Sequence, residues 1–403
     1  MARTAPAEPG RLTVVVGITG GIAAYKAVGV ARALVRAGHD VHIVATEGAL
    51  RFVGRPTLEA ISRNPVHTDL YEGVAEVRHV ALGQRADLIV IAPATAHTIA
   101  SLAAGLAGDL LGTTVLASAA PLVIAPAMHT EMWEHPATVA NIATLRSRGV
   151  TIVGPGTGAL TGTDVGAGRM AEPDEIVERA LAVVGPHDLA GRRILISAGG
   201  TREPLDPVRF LGNRSSGKQG VALATAAVAR GAAVTLVAAH LEVPPPHGAA
   251  IIEVGTAAEL EAALVEGSAT ADIIVMAAAV ADFRPAAVAD GKIKKTDDGA
   301  GLTLELERTP DILAGLAAAR RPGQRIVGFA AETEPDDDAL LRVAAAKAQR
   351  KGVDLLVVNR VGWSEGFGSP TNAVMLLDGT GSLVDRAAGD KLSVAHRILD
   401  HLV

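Results

Sequence analysis

Short, nearly continuous apolar runs alternate along the chain with longer stretches in which apolar residues recur every three or four positions. Glycine, proline or polar residues separate the two kinds. The first kind suits strands of a parallel sheet covered by helices on both faces, and the second is the spacing of an amphipathic helix. In the first half the runs predict strands at Leu12–Ile18, Val41–Thr46, Asp87–Ala92, Pro121–Ala125 and Val150–Val153, with the first helix stopped by Gly38. In the second half they predict strands at Arg193–Ser197, Ala233–Ala238, Ile251–Val254, Asp272–Ala277, Gln324–Ala330 and Asp354–Val358. Helices are expected at Val221–Arg230, Ala257–Glu266 and Asp336–Gly352. A further helix is expected to open at Thr309-Pro-Asp-Ile312, with Thr309 as its cap and Pro310 as its first residue. Ala373–Leu377 and Ser382–Val384 read as a small terminal hairpin before a closing helix at Asp390–Val403. The stretch from Gly185 to Gly191 has no periodicity and reads as a linker. The fold class is therefore α/β: two Rossmann-like open parallel-sheet domains over residues 11–184 and 192–403, behind a Pro/Ala-rich tail at residues 1–10 that is expected to be disordered.

Ligands of open α/β sheets gather at the carboxyl ends of strands, so the strand-to-helix turns are where chemistry is expected. The richest of them runs from Ser197 to Lys218. It holds two glycine turns, Asn213 and the cations Arg202, Arg209, Arg214 and Lys218, and it enters a helix near Gly217. Unpaired N–H groups and the positive end of a helix dipole make such a turn an anion site. In the first half, Gly17-Ile-Thr-Gly-Gly-Ile-Ala-Ala-Tyr-Lys26 places a backbone nest at a helix start, which suits one phosphate better than a dinucleotide; plain helix–strand packing is the other reading. The strands ending at Ala92-Pro-Ala-Thr-Ala96 and at Pro126-Ala-Met-His129 are expected to line one cleft with that turn. Gly154–Arg169 carries six glycines and reads as a substrate lid or as a disordered surface connection. His79 and His129 are candidates for catalysis or for structural roles, and His129 and His135 lack the spacing of a metal pair. Asp282, at a strand's carboxyl end, is placed to meet a magnesium–phosphate pair. Gly291–Gly301, with Lys292, Lys294 and Lys295, reads as a basic flap or a solvated face. Lys347 and Lys351 share a helix face. Cations, an acidic strand end and no P-loop fit a nucleoside triphosphate undergoing phosphoryl or nucleotidyl transfer.

Composition narrows the field. Aromatic residues make up 2% of 403 and the net charge is −6, which argues against nucleic-acid binding. Cysteine is absent, so disulfides, Cys-based metal sites and a thiol nucleophile are excluded. No apolar run reaches the ~18 residues of a membrane span and no signal core opens the chain, so a cytoplasmic protein is expected.

Taken together, the motifs resemble the bifunctional phosphopantothenoylcysteine decarboxylase/phosphopantothenate–cysteine ligase family of coenzyme A biosynthesis over nearly all of residues 11–403. In the first half the resemblance rests on the Gly17–Lys26 turn, His79, Ala-Pro-Ala-Thr-Ala96, Pro-Ala-Met-x-x-x-Met-Trp133 and Gly166-Ala-Gly-Arg-Met170. In the second it rests on Thr201-Arg-Glu-Pro-Leu-Asp-Pro-Val-Arg209, Asn213-Arg-Ser-Ser-Gly-Lys218, Ala278-Ala-Val-Ala-Asp282, Lys292-Ile-Lys-Lys, Pro310-Asp-Ile and Gly328-Phe-Ala-Ala-Glu-Thr333.

The resemblance implies a flavodoxin-like, flavin-binding first domain and a CTP-dependent ligase as the second. The ligase would use CTP and Mg²⁺ to turn 4′-phosphopantothenate into an acyl-cytidylate, which the amine of cysteine then attacks. Asn213 and Arg209 match positions that hold the acyl-cytidylate, and Lys292 matches the one that promotes its formation. Met276, Ala277, Ala278, Asp282, Lys292, Pro310, Asp311, Ile312, Leu313, Phe329, Lys347 and Lys351 match CTP contacts, with Asp282 toward the metal. FMN would lie at Gly17, Thr19, Gly20, Thr46, Ala94, Thr95, Ala96 and Met128, and would drive oxidative decarboxylation to 4′-phosphopantetheine with His79 as catalytic histidine. The family further implies a homo-oligomer, trimeric through the first domains and dimeric through the second, together a dodecamer. Two positions depart from the pattern. His129 stands where the family has an Asn that holds the substrate carboxylate, and Gly162 stands where it has a Cys that serves the final protonation and reduction. Asp164, Thr161, Thr163 or water are the candidate donors in its place. The alternative is an active ligase whose flavin-binding domain has weak or absent decarboxylase activity.

Overall fold

The computed structural model describes residues 11–70, 78–159, 164–294, 301–334, 336–362, 369 and 371–403, with the side chains of Arg78 and His79 excepted. The expected disordered tail at residues 1–10 lies outside the described residues. The chain divides into two compact units, Met1–Gly185 and Pro186–Val403.

In the first unit the order is β1 (Thr13–Ile18), α1 (Ala24–Arg36), β2 (Asp40–Ala45), α2 (Glu47–Leu50), α3 (Arg55–Ser62), α4 (Arg78–Arg85), β3 (Leu88–Ala94), α5 (Ala96–Ala104), α6 (Leu110–Leu116), β4 (Leu122–Pro126), α7 (Thr130–Trp133), α8 (Pro136–Ser147), β5 (Thr151–Ile152), β6 (Gly156–Ala159), β7 (Val165–Arg169) and α9 (Pro173–Val184). Five strands form a parallel sheet in the order β2-β1-β3-β4-β5. Strand β1 is buried from Val14 to Ile18 and β3 throughout, because α1 and α9 cover one face and α5, α6 and α8 the other. Order in the glycine-rich connection is greater than composition suggests. Its two ends pair as the antiparallel ribbon β6–β7, and residues 160–163 lie outside the described ones.

The second unit runs β8 (Arg193–Gly199), β9 (Arg202–Pro204), β10 (Phe210–Gly212), α10 (Lys218–Ala229), β11 (Ala233–Ala239), β12 (Ala250–Val254), α11 (Ala257–Ser268), β13 (Ile273–Met276), β14 (Phe283–Pro285), β15 (Leu306–Arg308), α12 (Ile312–Ala318), β16 (Arg325–Glu332), α13 (Asp337–Lys351), β17 (Leu355–Arg360), β18 (Thr371–Asp378), β19 (Leu383–Asp390) and α14 (Lys391–Asp400). Its eight-stranded sheet has the order β12-β11-β8-β13-β16-β17-β18-β19, parallel up to β17. The last two strands correct the expected small hairpin. Each is eight residues long, and β18 pairs with β17, so they extend the main sheet in antiparallel fashion and α14 packs back on them. In β18 the buried run Val374–Leu377 is flanked by Thr371, Asn372 and Asp378, and β19 has Ala387 as its one buried position, so the apolar pattern understates their length.

The residues expected to form a linker are only partly one. Leu189 is buried in the second unit's core. Asp188 accepts two hydrogen bonds, at 2.8 and 2.6 Å, from Arg230, whose buried guanidinium also bonds Asp400 and the carbonyl of His396. At the other end, Asp385 on β19 ties α14 to the sheet. His401 hydrogen-bonds it at 2.9 Å and Arg397 pairs with it at 2.6 Å.

These contacts, the His401 bond first, hold the Asp385 carboxyl at about 2. Its value in the unfolded chain is higher, near ~3.9, so its stabilising effect is complete above that value and is lost as pH falls through about 2. Asp385→Asn is therefore expected to have a lower urea midpoint than the parent at pH 7. The gap should persist to about pH 4 and close toward about pH 2.

Candidate functional site

In the second unit the turn after β8 and the segment after β13 are stitched together. The amides of Ala277 and Ala279 donate to the carbonyls of Ser197 and Gly199 at 3.2 and 2.8 Å, and that of Thr201 returns a bond to Ala279 at 3.2 Å. Side chains complete the seam: Ser197 Oγ accepts from Ala278 N, Thr201 Oγ1 accepts from Ala281 N, and Thr309 Oγ1 donates to Ala281 O. Gly199 is required here. Its φ is +89°, and a β-carbon would stand 1.8 Å from the carbonyl oxygen of Ala239. The closeness of that approach lets the chain turn sharply out of the sheet.

A cavity of about 1310 Å³ opens beside this seam. Asn213, Met276, Ala278, Asp282, Pro310, Asp311, Ile312, Leu313, Phe329, Lys347 and Lys351 all line it. Asn213 donates from Nδ2 to the carbonyl of Val280 at 2.9 Å, so its side chain is fixed against the seam. Lys347 pairs with Glu332 at 2.8 Å and Lys351 with Asp311. Asp311 also accepts from Ala314 N at 3.1 Å and caps α12, which corrects the expected cap at Thr309. A proline one residue before the cap, not one after it, produced the shift: Thr309 is drawn away to Ala281. Burial alone would raise the Asp311 carboxyl, but the bonds from Lys351 and Ala314 outweigh it and hold it below its ordinary value.

A second cavity, of about 130 Å³, shares Ala278, Ala279, Phe329 and Ala331 with the first and holds Ala277 in its wall. Ser215–Gly220, at the start of α10, form one side, and Asn359, Asn372 and Lys391 the other. Lys391 is buried, and burial first, then repulsion from Lys218, lowers its pKa. Lys391, Asn359, Asn372 and Glu332 were not among the residues expected from sequence. The signal for Lys391 was a lysine in the first turn of a helix, against the dipole. Arg209 and Lys292 line neither cavity. The Arg209 guanidinium is committed to Asp206 and the carbonyl of Ile293, and Lys292 is exposed.

In the first unit the ends of β1, β2 and β3 and the start of α6 surround a cavity of about 430 Å³. Thr19, Gly20, Thr46 and Thr95 line it, with Glu47, His97, Thr98 and Asp109. Thr19 Oγ1 donates to Pro93 O at 2.7 Å and accepts from Thr95 N, locking the first and third strand ends together. Thr95 caps α5 and Thr46 caps α2. A β-carbon at Gly20 would stand 2.9 Å from the backbone of Gly48, so this residue keeps the cradle closed. Gly17 faces the side chains of Leu111 and Ile91, Ala94 is buried, and neither Ala96 nor Met128 borders the cavity. The end of β4, expected in the same cleft, instead meets the ribbon, where Met128 N donates to Gly168 O at 3.1 Å. His129 lies 3.9 Å from Asp164 across that contact. His79 is the second residue of α4, its side chain outside the described residues, as are Thr161, Gly162 and Thr163.

Comparison with known proteins covers both units. A family model described as "Flavoprotein" matches residues 3–185, and one described as "DNA/pantothenate metabolism flavoprotein C-terminal domain" matches residues 189–403. The chain is 53% identical to the coenzyme A biosynthesis bifunctional protein CoaBC of Mycobacterium tuberculosis (strain ATCC 25618 / H37Rv), over 97% of this chain and 96% of that one. It is 44% identical to the protein of that name from Escherichia coli (strain K12), over 90% of each chain. A solved C-terminal domain of a coenzyme A biosynthesis bifunctional protein CoaBC is 34% identical with a TM-score of 0.44, covering 53% of this chain and 95% of that one.

The dual bonding of Asp311 predicts an asymmetry between two substitutions. Asp311→Ala removes the cap and the partner of Lys351, and is expected to lower unfolding free energy by about 1–2 kcal/mol. Asp311→Asn still caps and should cost about 0.5 kcal/mol or less. Urea denaturation of the two variants measures the difference.

Proposed function

Given that the chain belongs to the family of bifunctional coenzyme A biosynthesis proteins, with a flavoprotein decarboxylase half and a ligase half, we propose how its residues divide the two steps. The domains are assigned as residues 11–184 for the decarboxylase and 192–403 for the ligase, with 185–191 between them. In the ligase half the substrates are 4′-phosphopantothenate, CTP and cysteine. A carboxylate is a poor electrophile, so its oxygen first attacks the α-phosphorus of CTP and pyrophosphate leaves. The cysteine amine then attacks the acyl carbon, and CMP leaves with the bond electrons.

The observation that carries this reading is that Asn213, Asp282, Pro310–Leu313, Phe329, and Lys347 with Lys351 come from five separate segments and line one cavity. Phe329 and the Pro310–Leu313 turn offer apolar surface for the base. Lys347 and Lys351 are cations already oriented by Glu332 and Asp311, so little reorganisation is needed when phosphate charge arrives. The smaller cavity adds Lys218, Lys391 and the start of α10 for phosphate oxygens. Asp282 would hold Mg²⁺, which suits a site with one carboxylate and phosphate oxygens as the remaining ligands. Asn213 would hold the acyl-cytidylate together with Arg209, whose Nη1 makes no hydrogen bond among the described residues. Lys292 would promote formation of the acyl-cytidylate.

In the first half, the donor set around the 430 Å³ cavity fits a flavin mononucleotide: threonine hydroxyls, the N-terminus of α5 and a wall in which Gly20 packs so close to the Gly48 backbone that a β-carbon would force them apart. Bound FMN would supply the two-electron sink that a bare thiol lacks during loss of CO₂. Thr19, Thr46 and Thr95 orient it through their hydroxyls and backbone. His129 donates a hydrogen bond to the substrate carboxylate in place of the family's Asn, and His79 serves as catalytic histidine. Asp164, beside His129, is a candidate proton donor where the family has its cysteine. The assembly is proposed to be a homo-oligomer, trimeric through the first domains and dimeric through the second.

Purified protein is incubated with FMN, CTP, Mg²⁺, cysteine and 4′-phosphopantothenate, and CMP and CO₂ are followed separately. Both are expected. CMP without CO₂ would reduce the first half to a flavin-binding module, and neither product would refute the reading. His79→Asn is expected to lower CO₂ release by about 10²–10⁴-fold with CMP release unchanged.

A further inference from the structure

Asp206 lies in the turn between β9 and β10, and its side chain is fully buried. Oδ1 accepts from the amides of Val208 and Arg209, both at 2.8 Å. Oδ2 accepts from Nε and Nη2 of Arg209, at 3.0 and 2.5 Å, and from the amide of Ile293 at 3.1 Å. Arg209 Nη2 in turn donates to the carbonyl of Ile293 at 2.8 Å. One ion pair thus grips both backbone polar atoms of a residue more than eighty positions away. Four residues before Ile293, the amide of Ala289 donates to the carbonyl of Leu205 at 3.0 Å, fastening the same two segments a second time. The gripped segment leaves β14, whose root at Asp282 and Phe283 borders the larger cavity. The gripping turn continues through β10 to Asn213, which borders it too.

A buried carboxylate with this many donors does far more than pin a surface turn. The Arg209 bonds first, and the three amides with them, hold the Asp206 carboxyl well below the usual carboxylate range, so it stays ionised at any working pH. Ile293 directly follows Lys292, an exposed lysine preceded by Gly291. Without an anchor such a lysine samples many positions, and misplacement of a charged group by about 1 Å can cost 10²-fold in rate. We infer that Asp206, with Arg209, clamps Ile293 to position Lys292 for nucleotidyl transfer, so that Asp206 is a positioning residue acting through Lys292. This rests on the assignment of Lys292 to acyl-cytidylate formation.

The test follows pyrophosphate release from CTP and 4′-phosphopantothenate without cysteine, using the full chain. Asp206→Asn preserves shape but removes the charge that holds Arg209. It is expected to slow release by about 10- to 100-fold, to move the KM for CTP by less than about threefold, and to speed hydrogen exchange at the Ile293 amide. In a Lys292→Ala background the same change should cost nothing further, since residues acting as one unit are not additive. Ile293→Pro deletes the amide that Asp206 grips and leaves the ion pair intact; it should shift the rate in the same direction and serves if Asp206→Asn does not fold. If Lys292→Ala is impaired but Asp206→Asn releases pyrophosphate at the parental rate, or is equally damaging without Lys292, the clamp is wrong. If Lys292→Ala itself keeps the parental rate, the assignment of Lys292 fails, and the clamp's purpose with it.

Discussion

The seam between the turn after β8 and the segment after β13 is the constraint on which the ligase half depends. Two parallel strands leave the sheet side by side, and a ligand site forms between them only if both chains bend away without exposing their peptide groups. Here each chain satisfies the other: carbonyls of Ser197 and Gly199 receive amides of Ala277 and Ala279, and Ser197 and Thr201 hydroxyls take Ala278 and Ala281. Buried peptide groups left unpaired would each cost about 1–3 kcal/mol. With those groups paired, Asn213, Asp282, Lys347 and Lys351 line the cavity beside the seam. The first unit uses the same device in smaller form, with Thr19 bridging Pro93 and Thr95.

Charge in the second unit follows a common plan. Lys347, Lys351 and Arg209 each sit against a carboxylate, and each carboxylate is itself tied to the backbone or to a strand end. The two lysine pairs, being partly exposed, add little to stability, whereas the carboxylate of the Arg209 pair is buried. Their consequence is geometric, because a cation held by its partner has less freedom left to lose. Lys391 is the contrast. It has no carboxylate partner among the described residues, and burial beside Lys218 lowers its proton affinity. One set of cations is thus screened by carboxylates, while Lys391 carries a charge that burial makes costly.

Strands buried on both faces were legible because their apolar runs are continuous; β1, β3, β8 and β11 stand close to where the pattern puts them. Spacing alone pointed to the strand ends as the place for a ligand, and the family resemblance supplied most of the individual cavity-lining positions, such as Met276, Leu313 and Phe329; Arg209 and Lys292, expected beside them, line neither cavity of the second unit. Three things were hidden. The cap at Asp311 was missed because Thr-Pro is itself a good helix opening, and only the tertiary bond from Thr309 to Ala281 decides between them. The length of β18 and β19 was missed because only Val374–Leu377 of β18 is a continuous buried run, and β19, at the sheet edge, is largely exposed and polar. The grip of Asp206 on Ile293 was invisible because local sequence shows an Asp–Arg pair but not the peptide it closes on.

The division of the chain falls after Gly185, so Asp188 and Leu189, ahead of the first strand at Arg193, belong to the second unit and are held by it. Any gene fragment meant to yield that unit alone must therefore start upstream of them. Begun at the first strand, at Arg193, it would leave a hole where Leu189 sat and a buried guanidinium short of one counter-ion. The segment that joins the two units is in this way a structural part of the second one, whose core buries Leu189.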